Sequence, residues 1–167
     1  VNELKPYLRD TKFELERSYS RGEKIMLEGT QGTDLSLHHG PYPHVTSRET
    51  TASGCLADAG IGPRRIRKVV MVTRTYPIRV GGDSGNLPME ITLDDIALRS
   101  GVPIDEILNT EKGTVSGKKR RIGEFSIEQV QRSAEINSAT DIALTFVDYL
   151  SVQNQKAKNF EGLTHDS

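Results

Sequence analysis

Tryptophan is absent, and aromatic residues make up only 5% of the 167 residues. With a hydrophobic share of 35%, the chain has a lean supply of core for a free-standing domain, since short chains bury proportionally little surface. Cys55 is the single cysteine. No internal disulfide can form, and a reducing cytoplasm is the expected setting. No apolar run approaches the length of a membrane span, and no signal-peptide pattern is read ahead of Asn2. Charge of one sign is not in excess: 22 basic residues face 23 acidic ones, for a net charge of −1. Bulk electrostatics therefore give no reason to expect nucleic acid or a membrane surface as partner. Repeats and low-complexity tracts are also missing. The length fits one domain or a large piece of one. With Val at position 1 and the cap-like Thr164-His165-Asp166 just before the end, both termini are expected to be internal to a longer protein.

What the chain does have is glycine and hydroxyl in unusual concentration. Glu28 to Gly54 reads EGTQGTDLSLHHGPYPHVTSRETTASG, too rich in Gly, Thr and Ser for a helix or strand and too long for a turn. Glycines at 29, 32, 40 and 54 permit close backbone approach. Thr30, Gln31, Thr33, Thr46, Ser47, Thr50 and Thr51 supply neutral donors and acceptors suited to a phosphorylated or heterocyclic small molecule. A long surface loop with ordinary turn chemistry is the plainer alternative. His38, His39 and His44 match no zinc spacing, and no Cys or carboxylate completes a set, so no metal site is expected.

The surrounding pattern is that of an α/β protein. Asn2–Ser20 reads as a helix with Pro6 in its first turn. Lys24–Leu27 reads as a buried strand feeding the loop, and ligands gather beyond strand ends in such sheets. Ser47–Ala59 reads as a helix closed by Gly60, with N-terminal N–H groups that favour an anion. Ile61–Arg67 is a turn with solvated cations. Lys68–Val72 is a buried strand continued by extended Thr73–Val80, with Pro77 pushing the later part to a sheet edge or beyond it. Thr92–Ser100, Pro103–Leu108 and Ser126–Asn137 read as helices, the first and last capped by Thr92 and Ser126. Asp141–Leu150 reads as another buried strand, and Ser151–Gly162 as an exposed connection. The expected architecture is a mainly parallel sheet flanked by helices.

A second unusual stretch, Gly113–Arg121, reads GTVSGKKRR. Four cations follow a Gly-hydroxyl-Gly segment without interleaved aromatics. That favours capture of a carboxylate or phosphate over tracking along a nucleic-acid strand.

Three blocks, EGTQG through YPHVTSRETTASG, then RTYPIRVGG, then GTVSGKKRRIGEF with INSATDIALTFVDYL, resemble adenylosuccinate synthetases in order and spacing, from about Lys5 to about Leu150. The wording LSLHHG is similar to the short archaeal and viral-type branch. The resemblance implies a P-loop-NTPase-like synthetase fold of which residues 1–167 are an incomplete part of one domain. It implies a ligase of purine biosynthesis that joins L-aspartate to the 6-position of IMP with GTP and Mg²⁺, as a cytoplasmic homodimer. IMP would be met by Gln31, Thr46, Val80 and Lys118, with Gly81 beside the nucleotide or aspartate. Aspartate would be met by Thr114, Val115, Ser116, Gly117, Lys118, Lys119 and Arg120, on a loop that orders and closes over it. Arg120, Phe146, Val147 and Asp148 would meet GTP, with Asp148 reading the guanine N–H groups. The family's phosphate loop, catalytic Asp and His, Mg²⁺ ligands and C-terminal guanine-binding segment have no counterpart in these residues, so neither catalytic nor metal-ligating residues are assigned and the fragment is expected to be inactive alone.

Two positions depart from the family pattern. Lys118 replaces an Arg, which exchanges a bidentate fork for a point charge. Phe146 replaces the Lys that precedes the guanine-reading Asp. These departures leave room for a related phage activity that makes 2-aminoadenylosuccinate from dGMP, and for ATP in place of GTP. A nucleotide-binding module without catalysis is the reading from another class.

Overall fold

The computed structural model of the chain describes residues 2–113 and 117–164. The chain divides into two compact units, Val1–Val69 and Val70–Ser167.

The first unit is held by loop hydrogen bonds. Asp10 caps helix α1 (Thr11–Ser20), its carboxylate accepting from the Phe13 amide at 3.1 Å. The helix expected over Asn2–Ser20 is therefore shorter. Pro6 belongs to a separate 3-10 turn, Lys5–Tyr7, and extended backbone at Leu8 and Asp10 separates it from α1. A short acidic side chain that takes a backbone N–H favours such a start over helix continuation. Leu8 and Phe13 stay exposed. Arg65 joins α1 to the turn Pro63–Arg65, pairing with Glu16 at 2.6 Å and lying over the Tyr19 ring at 4.2 Å.

The strand expected at Lys24–Leu27 does not form. A strand needs a neighbour for its backbone groups, and the described residues of this unit contain no ladder. Helix α2 (Ala52–Ala59) begins five residues later than expected, with Thr51 at its cap and Gly60 closing it at φ +65°. Glu49 is the reason. Its carboxylate accepts from the Thr50 and Thr51 amides, both at 3.0 Å, and turns Ser47–Thr50 away from the helix.

The second unit carries both sheets. Strand β1 (Val70–Arg74) pairs in parallel with β5 (Asp141–Thr145), Val70 opposite Asp141 and Arg74 opposite Thr145. Both strands were legible as apolar runs, but burial falls short of expectation. Val70 and Val72 are 52% and 68% exposed, and Ile142 and Leu144 are 54% and 48% exposed. Parallel strands read as apolar because both faces are normally covered. Here two strands and the packed helix α5 (Ile127–Asn137) leave part of each face open among the described residues. Strand β5 also stops before Leu150. Phe146 takes φ +59° and turns the chain into the 3-10 turn Val147–Tyr149.

Strands β2 (Ile78–Arg79), β4 (Arg121–Gly123) and β3 (Glu90–Ile91) form an antiparallel sheet in the order β2-β4-β3. Pro77 precedes an edge strand, as its missing N–H requires. Helix α3 (Leu93–Ser100) starts with a capping box between Thr92 and Asp95 and ends at Gly101 in the left-handed region. Helix α4 (Ile104–Thr110) follows directly. Ser126 caps α5 through the Gln129 amide at 3.2 Å. The core is one cluster of Tyr76, Ile96, Val102, Ile107, Ile122 and Tyr149.

Ile122 sits on the central strand β4 and is 1% exposed. Ile122→Ala is expected to destabilise the protein by about 2–5 kcal/mol in chemical denaturation, whereas Leu98→Ala, at an exposed position of α3, should stay within about 0.5 kcal/mol.

Candidate functional site

In the first unit the Gly-hydroxyl loop folds around a buried hydroxyl-carboxylate pair. Ser36 is fully buried. Its Oγ donates to Glu49 Oε2 at 2.7 Å and accepts from the His38 and His39 amides at 3.2 and 2.9 Å. Backbone bonds from Leu37 to Arg48 and from Thr46 to Leu35 close the loop at 3.1 and 2.8 Å. This frame brings Gln31 and Thr46 together: Gln31 Nε2 donates to Thr46 Oγ1 at 3.1 Å. Gln31 holds φ +67°, a conformation rare outside glycine and often kept where a side chain must be aimed. Neither residue lines the cavity of about 360 Å³ in this unit, whose walls include Glu28, Thr30, Arg48, Thr50, Cys55 and Asp58. The N-terminal amides expected to face a bound anion are met by Glu49, an anion of the chain itself.

Burial by itself would raise the Glu49 carboxyl. Hydrogen bonds from Ser36 and Thr51 and the charge of His39 outweigh it and hold the group at about 2. A depressed folded value means that the stabilisation is complete above the ordinary value of 4.5 and fades as pH falls from there towards 2. Glu49→Gln is expected to flatten the dependence of unfolding free energy on pH in that window, as read by acid titration of denaturation midpoints. An unchanged slope would mean that the carboxylate is not held as described.

In the second unit the cation-rich loop has a hydrogen-bonded base. Lys112 bridges Lys119 in antiparallel fashion, the Gly113 amide donates to the Lys118 carbonyl at 2.9 Å, and the Arg120 amide donates to the Glu111 carbonyl at 3.0 Å. Gly117 takes φ +64° at the turn. Thr114, Val115 and Ser116 lie outside the described residues. Lys118 and Lys119 are exposed, and Arg120 is partly buried.

Glu111 organises this region. It is fully buried. Arg74 grips it with both terminal nitrogens, Arg120 Nη1 donates to Oε2 at 3.3 Å, and Tyr149 Oη donates to Oε1 at 2.9 Å. Burial opposes ionisation, but the Arg74 guanidinium, Tyr149 and Arg120 together keep the carboxyl below its ordinary range. Burial and the adjacent carboxylate push the Tyr149 hydroxyl up, so it stays a donor. Arg74 also lies over the Phe146 ring at 3.6 Å, and Phe146 meets Tyr149 edge to face at 5.2 Å. One network thus joins Arg120 to the Phe146–Asp148 segment. No hydrogen bond or salt bridge to the Asp148 side chain occurs among the described residues, leaving its carboxylate as an acceptor. Arg74, Glu111 and Tyr149 were not singled out from sequence.

Val80 is exposed, and Gly81 packs against the cation loop: a Cβ there would collide with the Lys119 carbonyl oxygen. Gly81→Ala is expected to force residues 118–120 outward and to cost about 1–3 kcal/mol in thermal or urea unfolding. Gly62→Ala, where a Cβ meets nothing within 4 Å, serves as the neutral control.

Among the described residues no group of three or more His, Cys, Asp or Glu is arranged to hold a metal ion. No described helix is long and apolar enough to cross a membrane.

The parallel pair β1–β5, the antiparallel sheet and the helices around them define an α/β protein. The sequence model of the family described as adenylosuccinate synthetase matches residues 1–156, and the chain belongs to that family. It is 44% identical over 148 residues to the adenylosuccinate synthetase of Methanocaldococcus jannaschii, covering 89% of this chain and 40% of that protein. It is 38% identical over 167 residues to that of Methanosphaera stadtmanae, covering all of this chain and 46% of the relative. The chain thus spans less than half the length of these relatives. Among solved structures, fully ligated adenylosuccinate synthetase from Plasmodium falciparum matches with a TM-score of 0.77 at 28% identity, covering 89% of this chain and 33% of that one. Cyanophage S-2L succinoaminodeoxyadenylate synthetase, bound to dGMP and to dATP as energy donor, matches with a TM-score of 0.69 at 34% identity, covering 85% and 41%.

Proposed function

We propose that the complete protein carrying this chain joins L-aspartate to the 6-position of IMP with GTP, and that this chain supplies its substrate-holding segments. The reaction passes the γ-phosphoryl group of GTP to the 6-oxygen of IMP, leaving GDP. The aspartate amine then displaces that phosphate and forms the C–N bond. The observation that carries the reading is Arg120, held by the buried Glu111 and linked through Arg74 to the Phe146–Asp148 segment. A guanidinium there suits both a substrate carboxylate and a nucleotide phosphate. The Asp148 carboxylate matches the two N–H donors of guanine. Gln31 and Thr46, already hydrogen-bonded to each other, offer amide and hydroxyl groups to IMP, with Val80 and Lys118 as its further contacts. The segment Thr114–Arg120 closes over aspartate, its cations relieved of mutual repulsion by the dicarboxylate. Mg²⁺, when bound, would neutralise phosphate charge through residues outside this chain. Family membership further supports a cytoplasmic homodimer in purine biosynthesis.

Lys118 and Phe146, together with the similarity to the phage enzyme bound to dGMP and dATP, favour one second reading, in which dGMP is the acceptor and ATP can replace GTP. Steady-state kinetics of the complete protein test both. Arg120→Ala is expected to raise the aspartate KM about tenfold or more, the loss of a charge-assisted hydrogen bond. An unchanged aspartate KM and kcat with either nucleotide would sink the loop assignment. Wild-type turnover with dGMP exceeding that with IMP, and a shift towards IMP in Lys118→Arg, would establish the second reading instead.

A further inference from the structure

Glu111 is not itself expected to meet substrate, yet it holds Arg120 and is the point at which the cation loop and the Phe146–Asp148 segment join. Its carboxylate is fully buried and receives three partners from three places in the chain. Arg120 comes from the cation loop, at 3.3 Å. Arg74 comes from the end of β1. Tyr149 comes from the turn after β5, at 2.9 Å. The main chain repeats the link, since the Arg120 amide donates to the Glu111 carbonyl at 3.0 Å. Arg120 is therefore fixed at both backbone and side chain by a single residue.

On the other side, Arg74 carries the influence of Glu111 to the Phe146 ring, stacked 3.6 Å below its guanidinium. Phe146 is locked in the left-handed region, and its carbonyl accepts from Thr75 Oγ1 at 2.7 Å. The following turn places Asp148 between Phe146 and Tyr149, both of which sit in the network. Two guanidiniums share one carboxylate, which leaves the cluster with a surplus positive charge. Arg120 spends one side-chain nitrogen on Glu111, and the remaining donors of its fork are available to an incoming anion.

We propose that Glu111 is a positioning residue that presets Arg120 for the dicarboxylate and phosphate and, through Arg74 and Tyr149, sets the Phe146–Asp148 segment for the guanine nucleotide. The proposal rests on the assignment of Arg120 and Asp148 under the preceding heading. Catalytic groups need a supporting layer whose own geometry is locked, and small displacements of such groups carry large kinetic costs. Glu111→Gln keeps the size of the side chain but removes its charge and turns half of its acceptor capacity into a donor aimed at guanidinium groups.

The test is steady-state kinetics on the complete protein. In Glu111→Gln the KM values for aspartate and for GTP are both expected to rise, each by about tenfold for the loss of charge-assisted bonds. The KM for IMP should rise by a smaller factor, because Gln31 and Thr46, two of its four expected contacts, belong to the other compact unit. Glu111→Asp should recover part of both effects. Tyr149→Phe removes one hydrogen bond while keeping the ring against Phe146, and it should raise the same two KM values by a smaller factor, which provides a readout if Glu111→Gln does not fold. A purely structural role would lower the melting temperature or the fraction of active enzyme and leave all three KM values unchanged in the folded variants, and that result would overturn the proposal. Arg120→Ala separates the two levels. If it raises the aspartate KM while Glu111→Gln and Tyr149→Phe leave it unchanged, only the positioning role falls. If Arg120→Ala leaves it unchanged as well, the substrate assignment itself is at fault.

Discussion

A fully buried carboxylate shared by two guanidiniums and a phenol is the constraint on which the second unit depends. Removing an isolated carboxylate from water costs several kcal/mol, and Coulomb attraction offsets this only when the remaining lone pairs are also satisfied. Glu111 meets that condition with Arg74, Arg120 and Tyr149. The arrangement is more costly to break than to build: losing one partner of a buried pair costs about 3–5 kcal/mol, because the other charge is stranded. Arg74 Nε, buried with no hydrogen-bond partner among the described residues, shows that the packing satisfies Glu111 before it satisfies Arg74. The energetic interest of the cluster lies in the carboxylate, and the cations are arranged around it.

The same principle operates on a smaller scale in the first unit. Glu49 and Ser36 form the interior of the hydroxyl-rich loop, and the loop backbone is wrapped on them by the His38, His39, Thr50 and Thr51 amides. Without a sheet among its described residues, this unit relies on side-chain acceptors for backbone donors that a ladder would otherwise take. Gly40 shows how tight the wrap is, for a Cβ there would approach the Asp34 and Ser36 carbonyl oxygens and the Val45 side chain within 3 Å. The composition of the loop, read first as ligand chemistry, is thus in large part the chemistry of folding a loop onto itself.

How far the sequence disclosed this differs between elements. The helices α3 and α5 were legible because their signals are local: Thr92 and Ser126 announce their caps, and both caps are made. Strands β1 and β5 were legible as apolar runs, but their exposure was not, because burial depends on what lies against a strand rather than on the strand. Lys24–Leu27 failed for the same reason, having the composition of a strand without a neighbour to pair with. The late start of α2 was hidden because Ser47, Glu49 and Thr50 are all acceptable in a first turn, and only the Glu49 carboxylate, taking the Thr50 and Thr51 amides, decides against it. In the candidate site, Gln31 and Thr46 were named from the family pattern and do meet, whereas Glu111, Arg74 and Tyr149 were missed. Their significance lies in separations of 37, 9 and 38 residues along the chain, which no local pattern encodes.

The division between what was legible and what was not follows the division between contact and support. Residues expected to face a ligand were named from composition: glycines, hydroxyls, cations in a row. Residues that hold them are chosen by what is already buried nearby, so a lone Glu in an otherwise ordinary stretch gives little sign of its role. The cation loop illustrates the consequence. Four consecutive positive charges suggest interchangeable members, yet their neighbours separate them: Arg121 is paired with Glu90 at 2.6 Å, Arg120 with the buried Glu111, and Lys118 and Lys119 are exposed. A run that is uniform in sequence therefore becomes a graded series in space, from a cation committed to the sheet, through one held in a defined position with donors to spare, to two presented to solvent. Between the two arginines it is the acidic partners, Glu111 and Glu90, that make the distinction.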